Sequence, residues 1–172
     1  MKKVFTIVLL LLQLTSFGQQ FEFVSNDGIK NSENNSLDYL AFSFPNMTSG
    51  EIKAIIISKL SSLYNSPKDV INSIGDNVIT LDACALGLFY RNSYKVDADF
   101  TITIHFKDGK VRYDAPIIHQ LYYDTFMGKL ELNMSIPIYK LIETDLERGS
   151  TLYYFNQLVR DLNEAVSKSD DW

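Results

Sequence analysis

The sequence is short of the residues that most often carry chemistry, with one cysteine, Cys84, and two histidines, His105 and His119, among 172 residues. One cysteine excludes an intramolecular disulfide, so a folded domain must stand on its apolar core in any redox compartment. Cys84 also lies far from the N-terminus, which excludes lipid attachment at a cysteine just behind a leader peptide. It sits in the apolar run Val78–Leu86, where a small buried hydrophobe is expected, and no flanking cation is evident to lower a thiol pKa. The histidines stand fourteen residues apart without a neighbouring Cys, His or carboxylate set, so the ligand spacing of a zinc site is missing. Gly-x-Ser-x-Gly, the P-loop pattern and Gly-x-Gly-x-x-Gly are absent too, which leaves no motif for a nucleophile elbow, a phosphate cradle or a dinucleotide. No cofactor is expected.

Cationic side chains are also scarce, 16 against 21 acidic. What the chain does have at its start is Met1-Lys2-Lys3, the apolar run Val4–Leu12, and the small or polar residues Thr15, Ser16 and Gly18. A cationic n-region, an apolar h-region and small residues at its end predict a signal peptide over residues 1–18, with the mature chain starting near Gln19. A run of nine residues covers about half of a ~30 Å hydrocarbon core, so no transmembrane anchor is expected once the signal is cleaved. Removing Lys2 and Lys3 leaves 14 basic against 21 acidic side chains, a formal charge of −7. That sign repels nucleic acid and anionic headgroups, so neither is an expected partner. The localisation expected is periplasmic or extracellular. The remaining 154 residues (172 less 18) suit one domain.

Residues 19–36, rich in Asn, Ser and Asp and without a period, are read as a flexible N-terminal arm, and residues 37–172 as a single α+β domain. Leu40, Phe42 and Phe44 alternate as in a half-buried strand. Thr48 with Glu51 forms a capping box, and Ile52, Ile55, Ile56, Leu60 and Leu63 follow at helical spacing up to the break before Pro67. The run Val78–Leu88 reads as a central strand. Phe100, Ile102, Ile104 and Phe106 then alternate up to Asp108-Gly109, after which Val111, Tyr113, Ala115 and Ile117 alternate in turn. Asp-Gly between two such runs predicts a hairpin with a type I′ turn, in which Lys107 pairs with Lys110 and Phe106, Ile104, Ile102 and Phe100 face Val111, Tyr113, Ala115 and Ile117. Leu130, Leu132, Met134, Ile136 and Ile138 suggest a last strand, confined to an edge by Pro137. Leu152, Phe155, Leu158, Val159, Leu162 and Val166 make a second helix with Ser150 as candidate N-cap.

The order β-α-β-β-β-β-α, with the phrases Phe42–Pro45, Tyr64–Pro67, Phe106–Tyr113 and the terminal Asp171-Trp172, resembles a bacterial family of exported proteins of unknown function. The resemblance covers residues 37–172, while Gln120–Leu146 departs from it. It implies a curved antiparallel sheet with two helices packed on one face, a fold like the TATA-binding protein, and it implies no activity, cofactor or catalytic residue.

Two helices on one side leave the other sheet face free. The pairing above places Thr101, Thr103, His105, Arg112 and Asp114 on that open face, with His105 opposite Arg112 and Thr103 opposite Asp114. The expected function is a noncatalytic binding or interaction module of the cell envelope, with this polar face meeting another envelope protein or a polar ligand. The alternative is a periplasmic hydrolase whose site is assembled only by the fold. Asp97 and Asp99, two apart on a strand, share a face as a glycosidase pair or calcium ligands would, though solvated residues opening a strand explain them as well.

Overall fold

The computed structural model describes residues 18–24, 28–125, 128–131 and 138–169. The expected signal peptide lies outside these residues except for Gly18.

Alternating apolar residues set the sheet. On β6 (Tyr94–Lys107), Val96, Ala98, Phe100, Ile102, Ile104 and Phe106 all point to one buried face. β5 (Val78–Arg91) flanks β6 on one side and β7 (Lys110–Asp114) on the other, while β3 (Tyr39–Ser43) lies beyond β7 and β4 (Ile71–Ser73) beyond β5. β8 (Ile117–Thr125) follows β7 along the same flank of β6 and carries β9 (Gly128–Glu131) on its outer edge. Every pairing is antiparallel.

Helix α1 (Ser49–Leu63) starts at the expected capping box. Glu51 N–H donates to Thr48 Oγ1 at 3.3 Å, and Thr48 N–H donates to Glu51 Oε2 at 2.8 Å. Pro67 opens the single turn α2 (Pro67–Val70) at a position where its missing N–H costs nothing. The turn α3 (Ile138–Leu141) precedes α4 (Asp145–Ser169). Ile52, Ile56 and Leu60 of α1 and Phe155, Leu158, Val159, Leu162 and Val166 of α4 are buried against the apolar face of the sheet. Each side chain of this size stabilises by about 1.5–3 kcal/mol when fully buried, so these two stripes hold the helices in place. Phe155 meets Phe100 edge to face at 5.1 Å between ring centroids, and Tyr113 donates to Asn163 Oδ1 at 3.0 Å inside the core. The α+β architecture with two long helices on one face of an antiparallel sheet is the one expected.

Several local expectations fail for identifiable reasons. The Lys107–Lys110 hairpin forms in the expected register, yet only Gly109 of its two turn residues has positive φ (72°), so the turn is not type I′. Tertiary contacts decide it. Asp108 Oδ1 accepts from Ser49 N–H at the start of α1, Gly109 N–H donates to Met47 O, and Phe44 N–H donates to Gly109 O. The turn with positive φ at both positions is Asn92-Ser93, between β5 and β6.

The register of β7 holds as far as Tyr113 opposite Ile104 and then breaks. Ala115 N–H donates to Asp38 O, Pro116 has no N–H to give, and the chain re-enters against β6 one step out of phase, with Ile117 opposite Thr101 and 60% exposed. Of the expected strand over Leu130–Ile138, Leu130 and Glu131 lie in β9, whose residues are all exposed, Leu132–Pro137 lie outside the described residues, and Ile138 is helical. Helix α4 starts five residues before Ser150, at a second capping box, in which Glu147 N–H donates to Thr144 Oγ1 at 3.2 Å and Thr144 N–H to Glu147 Oε2 at 3.3 Å. Finally, the N-terminal arm contains the hairpin β1 (Phe21–Val24) and β2 (Gly28–Asn31). Phe21 is buried, and its backbone is clamped by Asn156 of α4, which accepts from Phe21 N–H at 2.7 Å and donates to Phe21 O at 3.1 Å.

Candidate functional site: the open face of the sheet

Odd-numbered residues of β6 point away from the helices, and with their cross-strand neighbours they form two polar networks. In the first, His105 Nε2 lies 2.8 Å from Asp114 Oδ2 and 3.1 Å from Arg112 Nη2. When it carries a proton it donates to Asp114, and when bare it accepts from Arg112. The Arg112 guanidinium stands over the Tyr39 ring at 4.9 Å. Its Nε is 2.9 Å from Asp114 Oδ1, but the N–H is shielded from solvent and makes no well-directed hydrogen bond among the described residues.

The second network centres on Asp82 of β5, which accepts from Thr101 Oγ1, Asn72 Nδ2 (3.0 Å) and Thr80 Oγ1 (3.2 Å). The Thr101 hydroxyl, then Asn72 and Thr80, hold the Asp82 carboxyl below its usual pKa. An ionised carboxylate only accepts, so the Thr101 proton points to Asp82, and His119 Nε2, 2.8 Å from Thr101 Oγ1, must be the donor in that contact. To act as general base for Thr101, His119 would need the opposite polarity.

The expected sheet residues thus come together, with Thr103 between the two networks. Four of the five, Thr101, Thr103, Arg112 and Asp114, line one pocket of ≈ 580 Å³, and His105 bonds to two of them. The pocket opens where the strand hands over from β7 to β8. Asp38, Pro116 and Ile117 line it beside the polar groups, and Phe23, Ile29 and Lys30 of the N-terminal hairpin complete it. Its size falls within the ~300–1,000 Å³ of ligand pockets, and its mixture of apolar wall and a few convergent polar groups is what such pockets show. Sequence reading missed the hairpin wall, because no period marks residues 19–36. Pro116 was the available signal for the break.

Farther along the same face, Asp97 is 1% exposed rather than solvated. It accepts from Gly87 N–H at 2.7 Å and pairs with Lys129 (3.0 Å) and Lys95 (3.6 Å). Burial alone would raise its pKa, but the Gly87 N–H and the two ammonium groups outweigh it and hold the carboxyl low. Gly87, at φ 66°, forms the bulge that brings its N–H to Asp97. Asp99 accepts from Tyr122 Oη at 2.6 Å, which pushes the phenol up to about 12. Cys84 is partly exposed on this face, not a core residue, with Lys129 Nζ at 3.6 Å; burial and Asp99 still push its thiol up, away from a reactive thiolate. Among the described residues no three His, Cys, Asp or Glu side chains stand close enough to hold a metal ion, and no helix is long and apolar enough to cross a membrane.

No protein-family model and no curated protein matches the sequence. Solved structures do. A TBP-like protein from Parabacteroides distasonis superposes with a TM-score of 0.58 at 16% identity, over 75% of this chain and 90% of the other. A DUF4468 family protein from Bacteroides ovatus gives a TM-score of 0.38 at 11% identity, over 77% of this chain and 84% of the other. The β7–β6–β5 sheet backed by α1 and α4 is therefore a TBP-like fold, as the sequence resemblance implied.

Proposed function

We propose that this protein is an exported, noncatalytic binding module of the cell envelope, and that its partner, another envelope protein or a polar ligand, seats in the open-face pocket at the β7–β8 break. One observation carries the reading: Thr101, Thr103, Arg112 and Asp114 converge on one pocket.

The test is the combined substitution Thr103→Ala, His105→Ala and Arg112→Ala, followed by melting and by crosslinked capture from envelope extract. The expected result is a normal melt with loss of partners that the wild type retains. A variant that melts normally and recovers the same partners overturns the assignment of this face.

A further inference from the structure

Helix α4 buries one stripe in the core and exposes two large apolar side chains, Leu146 and Tyr153, on another. Phe155, Leu158, Leu162 and Val166 enter the core. Leu146, Ser150, Tyr153 and Gln157 recur every three or four residues along a second stripe, with Gly149 beside Ser150, and there Leu146 is 77% and Tyr153 71% exposed. Large apolar side chains left exposed beside a concave surface mark an interaction site. This stripe forms one wall of a groove of ≈ 770 Å³ on the helix side of the sheet, away from the open face. The end of α1, at Leu63 and Tyr64, and the Gly87–Tyr90 stretch of β5 form the other wall.

Length and charge indicate what fits. Asp145 and Asp161 both line the groove, and sixteen residues at ~1.5 Å rise separate them by about 24 Å, some four and a half turns of a helix. Between them the walls are mainly leucine, phenylalanine and tyrosine, with Gly149, Ser150 and Gln157 on the α4 side, and no lysine, arginine or histidine is among the described residues that line it. Among the described residues Asp161 accepts from the neutral Gln157 amide at 2.6 Å, and Asp145 faces Arg148 at 3.9 Å. Gly149 leaves open space at the middle of the α4 wall, since a Cβ there would meet nothing within 4 Å.

We propose that this groove takes an amphipathic helix of a partner protein, with apolar residues at i, i+3/4 and i+7 facing the groove and lysine or arginine near both ends. Helix-in-groove recognition uses that spacing, small residues at the crossing allow close approach, and exposed tyrosines serve as anchors.

The test uses two synthetic 18-residue helices, one of leucine and lysine at this spacing and one with glutamate in place of lysine, titrated by fluorescence anisotropy at about 0.1 M salt. The lysine peptide is expected to bind saturably at one to one, and the glutamate peptide at least about tenfold more weakly. Gly149→Leu, which fills the groove, and Tyr153→Ala, which removes an exposed anchor, should each weaken the lysine peptide by about tenfold without changing net charge. Asp145→Asn with Asp161→Asn should weaken it by about threefold and flatten its salt dependence. Tyr153→Ala keeps the test valid if Gly149→Leu melts abnormally. Absence of saturable binding, or equal binding by wild type and both uncharged variants, overturns the proposal.

Discussion

Replacing Glu147 by alanine should be among the more damaging changes outside the apolar core, and the structure gives its size. Glu147 is 4% exposed and accepts from Arg91 Nε at 2.7 Å, Arg91 Nη2 at 2.8 Å, Glu143 N–H at 2.8 Å and Thr144 N–H at 3.3 Å. Arg91 Nη2 also donates to Leu141 O, so the pair ties the end of β5 to the start of α4 and to the turn before it. Removing the carboxylate strands a largely buried guanidinium and two helix-start N–H groups. Breaking such a pair costs about 3–5 kcal/mol, and the lower end applies because Arg91 is not fully buried. At about 2–4 °C per kcal/mol for a chain of this length, the melting midpoint should fall by about 6–12 °C. Arg91→Ala should cost less, since Glu147 keeps its two backbone donors. The acid limb gives a second readout. Burial pushes the Glu147 carboxyl up, but Arg91 and the two backbone N–H groups pull it further down, below its ordinary 4.5. A carboxylate depressed in the folded state contributes fully above its unfolded pKa and loses that contribution as pH falls through the folded value. The gap in melting midpoint between wild type and Glu147→Gln should therefore be constant at neutral pH and close below pH 4.5. Thermal melts followed by circular dichroism measure both. A Glu147→Ala midpoint within about 2 °C of wild type would refute the latch.

Gly109→Val should destabilise by more than about 1 kcal/mol, because φ is 72° there and a new Cβ would sit 3.4 Å from Pro45 Cα; an unchanged melting midpoint would contradict this. Asn156→Ala should cost about 1–3 kcal/mol and speed amide exchange in β1 and β2 while β5 and β6 stay protected. Uniform loss of protection would show that the hairpin is not held by Asn156 alone.

The parts of the fold written as a strict period were legible in the sequence, and the parts decided by distant contacts were not. Phe100–Phe106 alternates, and α1 carries both its cap and its stripe, so neither needed the rest of the chain to be read. The Asp108-Gly109 turn looks local but is docked onto Met47 and Ser49, and that contact sets its conformation. The N-terminal hairpin has no amphipathic signal because two of its stabilising partners are the Asn156 amide and the α4 surface, 135 residues away. Two signals were present and passed over: the Thr144-x-x-Glu147 box, identical in form to Thr48-x-x-Glu51, and Asn92-Ser93 as a turn pair. The candidate site was half legible. The sheet register brought its polar residues to one face, but the pocket exists only because Pro116 ends β7 beside the hairpin.

The most direct test of the binding role is photocrosslinking in the producing cells, with a benzophenone amino acid placed at Thr103 or Ile117 of the open face and, as control, at Lys168 near the end of α4. The expected result is a discrete adduct from Thr103 or Ile117 that is absent from Lys168 and lost when Arg112→Ala is added. No adduct from either open-face position, with the protein folded and exported, would contradict it.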